Sequence, residues 1–164
     1  MNEIKIPTTI INWILYMLSN RQITLKLQGA SLTRKIYKGC PQGGILSPFL
    51  WNITLNILLA NKELHKDFLQ AFADDMAIII PGIDPSTLCD IASKYLSIID
   101  KWCLDNGVKL SELKTKIVLF RTKNRKFTLK PITVRGKILE INKEARFLGV
   151  TLDSYLNWSK HIEQ

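Results

Sequence analysis

The chain has 164 residues, 46% hydrophobic and 23% charged, with a net charge of +9 and a sequence pI near 9.6. That length allows one domain with a real core, and the composition excludes a disordered or low-complexity chain. So basic a balance favours a polyanionic partner, nucleic acid being the commonest, with a well-solvated basic surface as the plain alternative.

Pro7-Thr8-Thr9 opens a helix in which Ile10, Ile11, Trp13, Ile14, Met17 and Leu18 recur at helical spacing, ending at Asn20-Arg21. "ITLKLQG" alternates as a strand, Gly29-Ala30 is a turn, and "LTRKIYKG" is a second strand, giving a hairpin that leads to Gly39. "GCPQGGILSP" has the glycine and proline of a loop, and Ser47-Pro48 starts a helix to about Asn61, apolar nearly all round and so expected to be largely buried. Two short apolar runs, 68–72 and 76–80, flank Ala73-Asp74-Asp75 and predict a β-hairpin with the aspartates at its tip. An amphipathic helix over about 86–106 carries Leu88, Ile91, Ala92, Tyr95, Leu96, Ile99 and Trp102 on one face, with Gly107 just past its end. The remainder predicts strands at 108–110, 115–120, 132–134, 138–141 and 147–152, with a tight turn around Arg135-Gly136. This order is an α+β pattern, helices packed on an antiparallel sheet.

The apolar stretch from Ile10 to Leu18 is short and contains Asn12, and no uncharged run approaches the ~20 residues that span a bilayer. Cys40, Cys89 and Cys103 are odd in number and lack CxxC spacing, which disfavours a zinc knuckle and predicts reduced thiols in an intracellular protein.

Two residue groups carry chemistry. Asp74 and Asp75 stand side by side in an apolar stretch, where carboxylates are costly unless paired, hydrogen-bonded or metal-bound. Like charges this close repel, and a divalent cation removes that cost. Mg²⁺ favours one or two carboxylates plus substrate phosphates, and a pair of such ions serves in-line nucleotidyl transfer. A polar hairpin turn is the other reading of the same pair. The second group is the loop "GCPQGG", residues 39–44, whose glycines let backbone approach a ligand. Its exit is a helix N-terminus suited to phosphate. Gln42 adds a donor and an acceptor. An ordinary loop feeding a buried helix is the alternative.

Taken together, the motifs resemble the reverse transcriptases of non-LTR (LINE-like) retrotransposons, of the jockey type. "GCPQGGILSPFLWNITLNILL" is similar to their second palm motif, "FADD" to the catalytic hairpin, and "VKLSELKTKIVLF" to the lysine-bearing motif that follows. "FLGVTLDSYLNWSKHI" resembles the primer-gripping segment and the start of the thumb. The resemblance implies a palm over 1–120 bearing the FADD hairpin, a β-rich primer-grip-like segment over 121–154 and the start of a thumb over 155–164. It implies that Asp74 ligates Mg²⁺ or Mn²⁺, two ions in the intact parent, with Asp75 beside it. Gln42, Gly43, Phe72 and Ala73 would line the nucleotide pocket, and Lys114 would serve the triphosphate. Phe147, Leu148 and Gly149 would place the primer. The implied partners are an RNA template, a DNA primer, a dNTP and the rest of the parent polyprotein, in nucleus or cytoplasm, with no membrane. Gly44 stands where many relatives have serine, which predicts a looser loop.

From Lys109 to Lys137 the chain carries ten Lys or Arg and one acid, Glu112, which equals the whole net charge. Within it, Arg121, Lys123, Arg125 and Lys126 predict a projecting basic turn that binds phosphate backbone; a solvated turn is the alternative. Palms of the family use a third carboxylate from an earlier strand, and no other acid of this chain fits that part. The expectation is a fragment inactive by itself, or else a non-catalytic nucleic-acid-binding remnant using the basic 121–137 region.

Overall fold

Pro7 cannot donate a backbone hydrogen bond, but its carbonyl accepts from Ile10 and Ile11 at 2.9 and 3.1 Å and so starts α1 (Thr8–Ser19). A computed structural model describes residues 6–64, 68–121 and 129–163, in two compact units, Met1–Thr54 and Leu55–Gln164.

In the first unit α1 buries Ile14 and leads into β1 (Arg21–Leu27) and β2 (Ala30–Ile36), antiparallel with Leu27 opposite Ala30. The turn is Gln28-Gly29, one residue earlier than the sequence suggests. Both residues have positive φ, 46° and 84°, the backbone of a type I′ hairpin, for which glycine is well suited. The strands are exposed along nearly their whole length. One cross-strand hydrogen bond joins the Thr24 and Thr33 hydroxyls at 2.9 Å.

α2 (Ser47–Leu59) follows the glycine-rich loop. Burial falls on Leu50, Leu55 and Leu58, while Phe49 and Ile57 stay exposed, so the helix is not buried all round. Its apolar residues exceed what one packed face can cover.

In the second unit Leu55, Leu58 and Leu64 meet Tyr95, Ile99 and Cys103 in one core. The last three lie on α3 (Pro85–Asp105), at the i, i+4, i+8 spacing that makes one face. Asp84 caps α3: its carboxylate accepts from Thr87 N at 2.8 Å and from the Thr87 hydroxyl at 2.6 Å. These bonds hold the Asp84 carboxyl below its ordinary pKa, the hydroxyl bond most strongly. Beyond the helix, Val108 N–H returns to Cys103 O at 2.8 Å. Leu69, Ala71, Met76 and Ile78 of the hairpin β3 (Phe68–Phe72) and β4 (Asp75–Ile79) pack on this core.

A second cluster gathers Cys89 of α3 with Ile132, Val134 and Leu139. The last three belong to β6 (Ile132–Val134) and β7 (Lys137–Leu139), joined by the expected Arg135-Gly136 turn. The strand expected over 115–120 shrinks to β5 (Ile117–Val118), which pairs in parallel with β8 (Ile141–Asn142), and 108–110 forms no strand. The run 147–152 is not one strand. It holds the end of β9 (Glu144–Phe147), a Leu148-Gly149 turn and most of β10 (Val150–Asp153). Both turn residues have positive φ, and the glycine permits the reversal within an apolar run. A short α4 (Ser159–Ile162) follows.

The class is α+β. Among the described residues the strands form five two-stranded pairs, four antiparallel and one parallel. No helix among those residues is long and apolar enough to cross a membrane.

Candidate active site

β3 and β4 pair from Phe68 opposite Ile79 to Phe72 opposite Asp75, which leaves Ala73 and Asp74 as a two-residue turn. Ala73 takes a φ of 52° and Asp74 has no positive φ, the pattern of a II′ turn, whose first position favours glycine. An alanine there is strained by about 1–3 kcal/mol, and such strain persists only where the surroundings hold it. Here the base of the hairpin does so, through Leu69, Ala71, Met76 and Ile78. The tip faces solvent: Phe72, Ala73, Asp74 and Asp75 are all exposed, Phe72 at 65%. The two carboxylates thus sit at the open end of an anchored ribbon.

Gln42 and Gly43 are exposed in the loop of the first unit, Gly43 with φ 81°. The loop is not slack at Gly44. Gly44 N–H donates to Pro41 O at 3.1 Å, Ser47 N–H to Gly44 O at 3.1 Å, and the Ser47 hydroxyl to Pro41 O at 2.5 Å. A Cβ on Gly44 would lie 2.7 Å from that hydroxyl oxygen. Ser47 therefore fills the space a side chain at 44 would need.

Lys114 is exposed, in a turn where Lys114 N–H and Thr115 N–H both donate to Ser111 O. Phe147 is half-buried at the end of β9, with Leu148 and Gly149 exposed at the tip. The basic segment is partly neutralised within the chain. Lys130 pairs with Asp90 at 3.0 Å, Arg135 with Asp100 at 2.7 Å and Lys137 with Glu112 at 2.8 Å. The hydrogen bond from Lys137 holds the Glu112 carboxyl below its ordinary pKa. Burial, then the Asp100 charge, pushes the nearby Cys103 thiol up. Cys40 is exposed, Cys89 and Cys103 are buried, and all three are free. Lys123, Arg125 and Lys126 lie outside the described residues, and Arg121 has its guanidinium 5.8 Å from the Tyr155 ring centre. Among the described residues, no group of three or more His, Cys, Asp or Glu comes together.

One arrangement is not legible from spacing. The buried Asp153 carboxylate accepts from the N–H groups of Tyr155 at 2.9 Å, Asn157 at 3.1 Å and Trp158 at 3.2 Å. An aspartate before a polar turn is the signal that could have found it.

A family model for reverse transcriptase (RNA-dependent DNA polymerase) matches residues 1–152. The chain belongs to the reverse transcriptase family. Among curated relatives, a putative 115 kDa protein in type-1 retrotransposable element R1DM of Drosophila melanogaster is 30% identical over 146 residues. That match covers 88% of this chain and 14% of the relative. A Retrovirus-related Pol polyprotein from type-1 retrotransposable element R1 of Nasonia vitripennis is 30% identical over 130 residues, 76% of this chain and 38% of the relative. The RNA-directed DNA polymerase from mobile element jockey of Drosophila melanogaster is 26% identical over 137 residues, 80% and 15%. The likeness is to reverse transcriptases of non-LTR, LINE-like retrotransposons. This reverse transcriptase chain spans between 14% and 38% of the length of those three relatives. No solved structure matches it.

Proposed function

We propose that this chain is the part of a retrotransposon RNA-directed DNA polymerase that carries the metal-holding hairpin. The observation behind this reading is the exposed Asp74-Asp75 pair on a strained turn, anchored at its base, inside a span that matches the reverse transcriptase family. Reverse transcriptases use divalent metal ions. Two exposed neighbouring carboxylates fit a hard cation that completes its shell with phosphate oxygens and water. Asp74 is the principal ligand and Asp75 the adjacent one. Mg²⁺ or Mn²⁺ held by Asp74 and Asp75 would supply Lewis acidity for activating a 3′-hydroxyl and stabilising charge on a phosphate, with two ions in the intact parent.

The chain's own residues do the rest. Phe72 and Ala73 shape the floor beside the primer end, and Gln42 with the Gly43 backbone lines the nucleotide and template side. Lys114 neutralises the triphosphate or supplies a proton to the leaving pyrophosphate. Phe147, Leu148 and Gly149 position the primer, on an RNA template. Palms of the family use a third carboxylate, which the sequence motifs of this chain do not supply, and on that reading the isolated 164-residue chain does not sustain synthesis.

Two assays test the reading. Binding of a dNTP to this chain should require Mg²⁺ or Mn²⁺ and fall at least tenfold in Asp74→Asn; metal-independent binding indifferent to that change would contradict it. Primer extension by the chain should not exceed that of Asp74→Asn. Robust extension abolished by the substitution would overturn the inactivity.

A further inference from the structure

After β10 the chain makes a tight, well-specified corner that the catalytic reading does not use. The buried Asp153 carboxylate gathers three backbone N–H groups, and Leu156 N–H returns to Asp153 O at 3.0 Å. Leu156 and Trp158 are both forced to positive φ, 53° and 63°. Bulky residues avoid this region, so two within three positions mark a corner held against its local preference. The corner keeps Tyr155, Leu156 and Trp158 at 40%, 47% and 45% exposure. A corner built only to reverse the chain has no need to present two aromatic rings.

The corner is also charged. Arg121 N–H donates to Ser154 O at 3.1 Å, and Ser154 N–H to Lys143 O at 2.9 Å, so the backbones of three segments run side by side. Arg121 and Lys143 are both exposed, and the Arg121 guanidinium lies over the Tyr155 ring. A held aromatic ring with a guanidinium over one face is the chemistry of single-stranded nucleic-acid platforms: the face away from the guanidinium stacks on a base while the neighbouring cations meet the phosphates.

We infer that Tyr155, steadied by Arg121 and by the Asp153-held corner, is a stacking site for an unpaired base of a nucleic-acid strand. The inference rests on the reading that this chain handles nucleic acid, and it concerns a place distinct from the Asp74 tip. Asp153 is a positioning residue there, because it acts through the backbone of 155–158.

The test uses fluorescence anisotropy at low salt, with the full chain and two labelled probes: a short oligothymidylate and an abasic strand of equal length and charge. The oligothymidylate should bind about tenfold more tightly, as expected for one stacked base at ~1–3 kcal/mol. Tyr155→Leu should abolish that difference while leaving the weaker, salt-sensitive binding of the abasic strand. Tyr155→Phe keeps the ring and should keep the difference, which separates stacking from damage to the fold. Equal binding of both probes by the unaltered chain would overturn the stacking site and leave the nucleic-acid reading intact. So would a difference that survives Tyr155→Leu. Binding of neither probe would overturn both.

Discussion

The β1–β2 and β3–β4 hairpins both turn in two residues, and they are held by opposite means. β1–β2 is exposed nearly throughout, and its Gln28-Gly29 turn has the conformation that the strand twist favours. β3–β4 has no glycine in its turn, yet its base packs against the core around Leu58, Tyr95 and Ile99. A hairpin can thus be specified by its turn or by its base. Where the turn is given over to a carboxylate, the base must hold the ribbon. The Arg135-Gly136 and Leu148-Gly149 turns follow the glycine pattern, so Ala73-Asp74 is the departure among the described two-residue hairpin turns.

The largest effect should come from the core under β3–β4. Leu58 is 1% exposed, and Leu58→Ala should lower stability by about 3 kcal/mol in urea unfolding. Protection of the β3–β4 amides should fall with it. Loss of stability with that protection unchanged would break the comparison.

Next come the turns themselves. Ala73→Gly should stabilise the chain by about 1 kcal/mol, because glycine accepts positive φ without strain. Gly29→Ala should cost about 1 kcal/mol, and a Cβ there meets nothing within 4 Å, so the effect is purely conformational. Thermal unfolding of the two variants reads both signs; a loss of stability in Ala73→Gly would show that the alanine turn carries no strain for the base to hold.

The acid response of α3 should be smaller. The folded pKa of Asp84 lies below its unfolded value, so its contribution is present above the unfolded value, ~3.9, and is lost as pH falls through the folded one. The protection of the Thr87 amide, corrected for its intrinsic exchange rate, should fall over that range, and Asp84→Ala should remove that fall. Smallest of all, Leu25→Ser in the 62%-exposed position of β1 should change stability by less than about 0.5 kcal/mol. A larger loss would show that β1–β2 also depends on burial.

Much of this was legible in the sequence. Gly107 marks the end of α3, apolar spacing marks its buried face, and Arg135-Gly136 marks a turn between apolar runs. Paired acids in an apolar stretch singled out Asp74-Asp75, a pattern that a polar hairpin turn also fits, and it was the resemblance of the FADD motif that favoured a metal. The rest depended on contacts between distant residues. Lys130 and Asp90 are 40 positions apart and Arg135 and Asp100 are 35, so nothing local shows that these cations are already paired. The Leu148-Gly149 reversal was hidden because leucine gives no turn signal and the flanking residues are apolar. The strain at Ala73 is a property of φ, which residue type did not disclose.

The most direct test of the central claim, that the strained tip of β3–β4 holds the metal, is paramagnetic broadening by Mn²⁺ in amide ¹H–¹⁵N spectra of the chain. Broadening should centre on residues 72–76 and disappear in Asp74→Asn. Broadening centred elsewhere, or unchanged by that substitution, would contradict it.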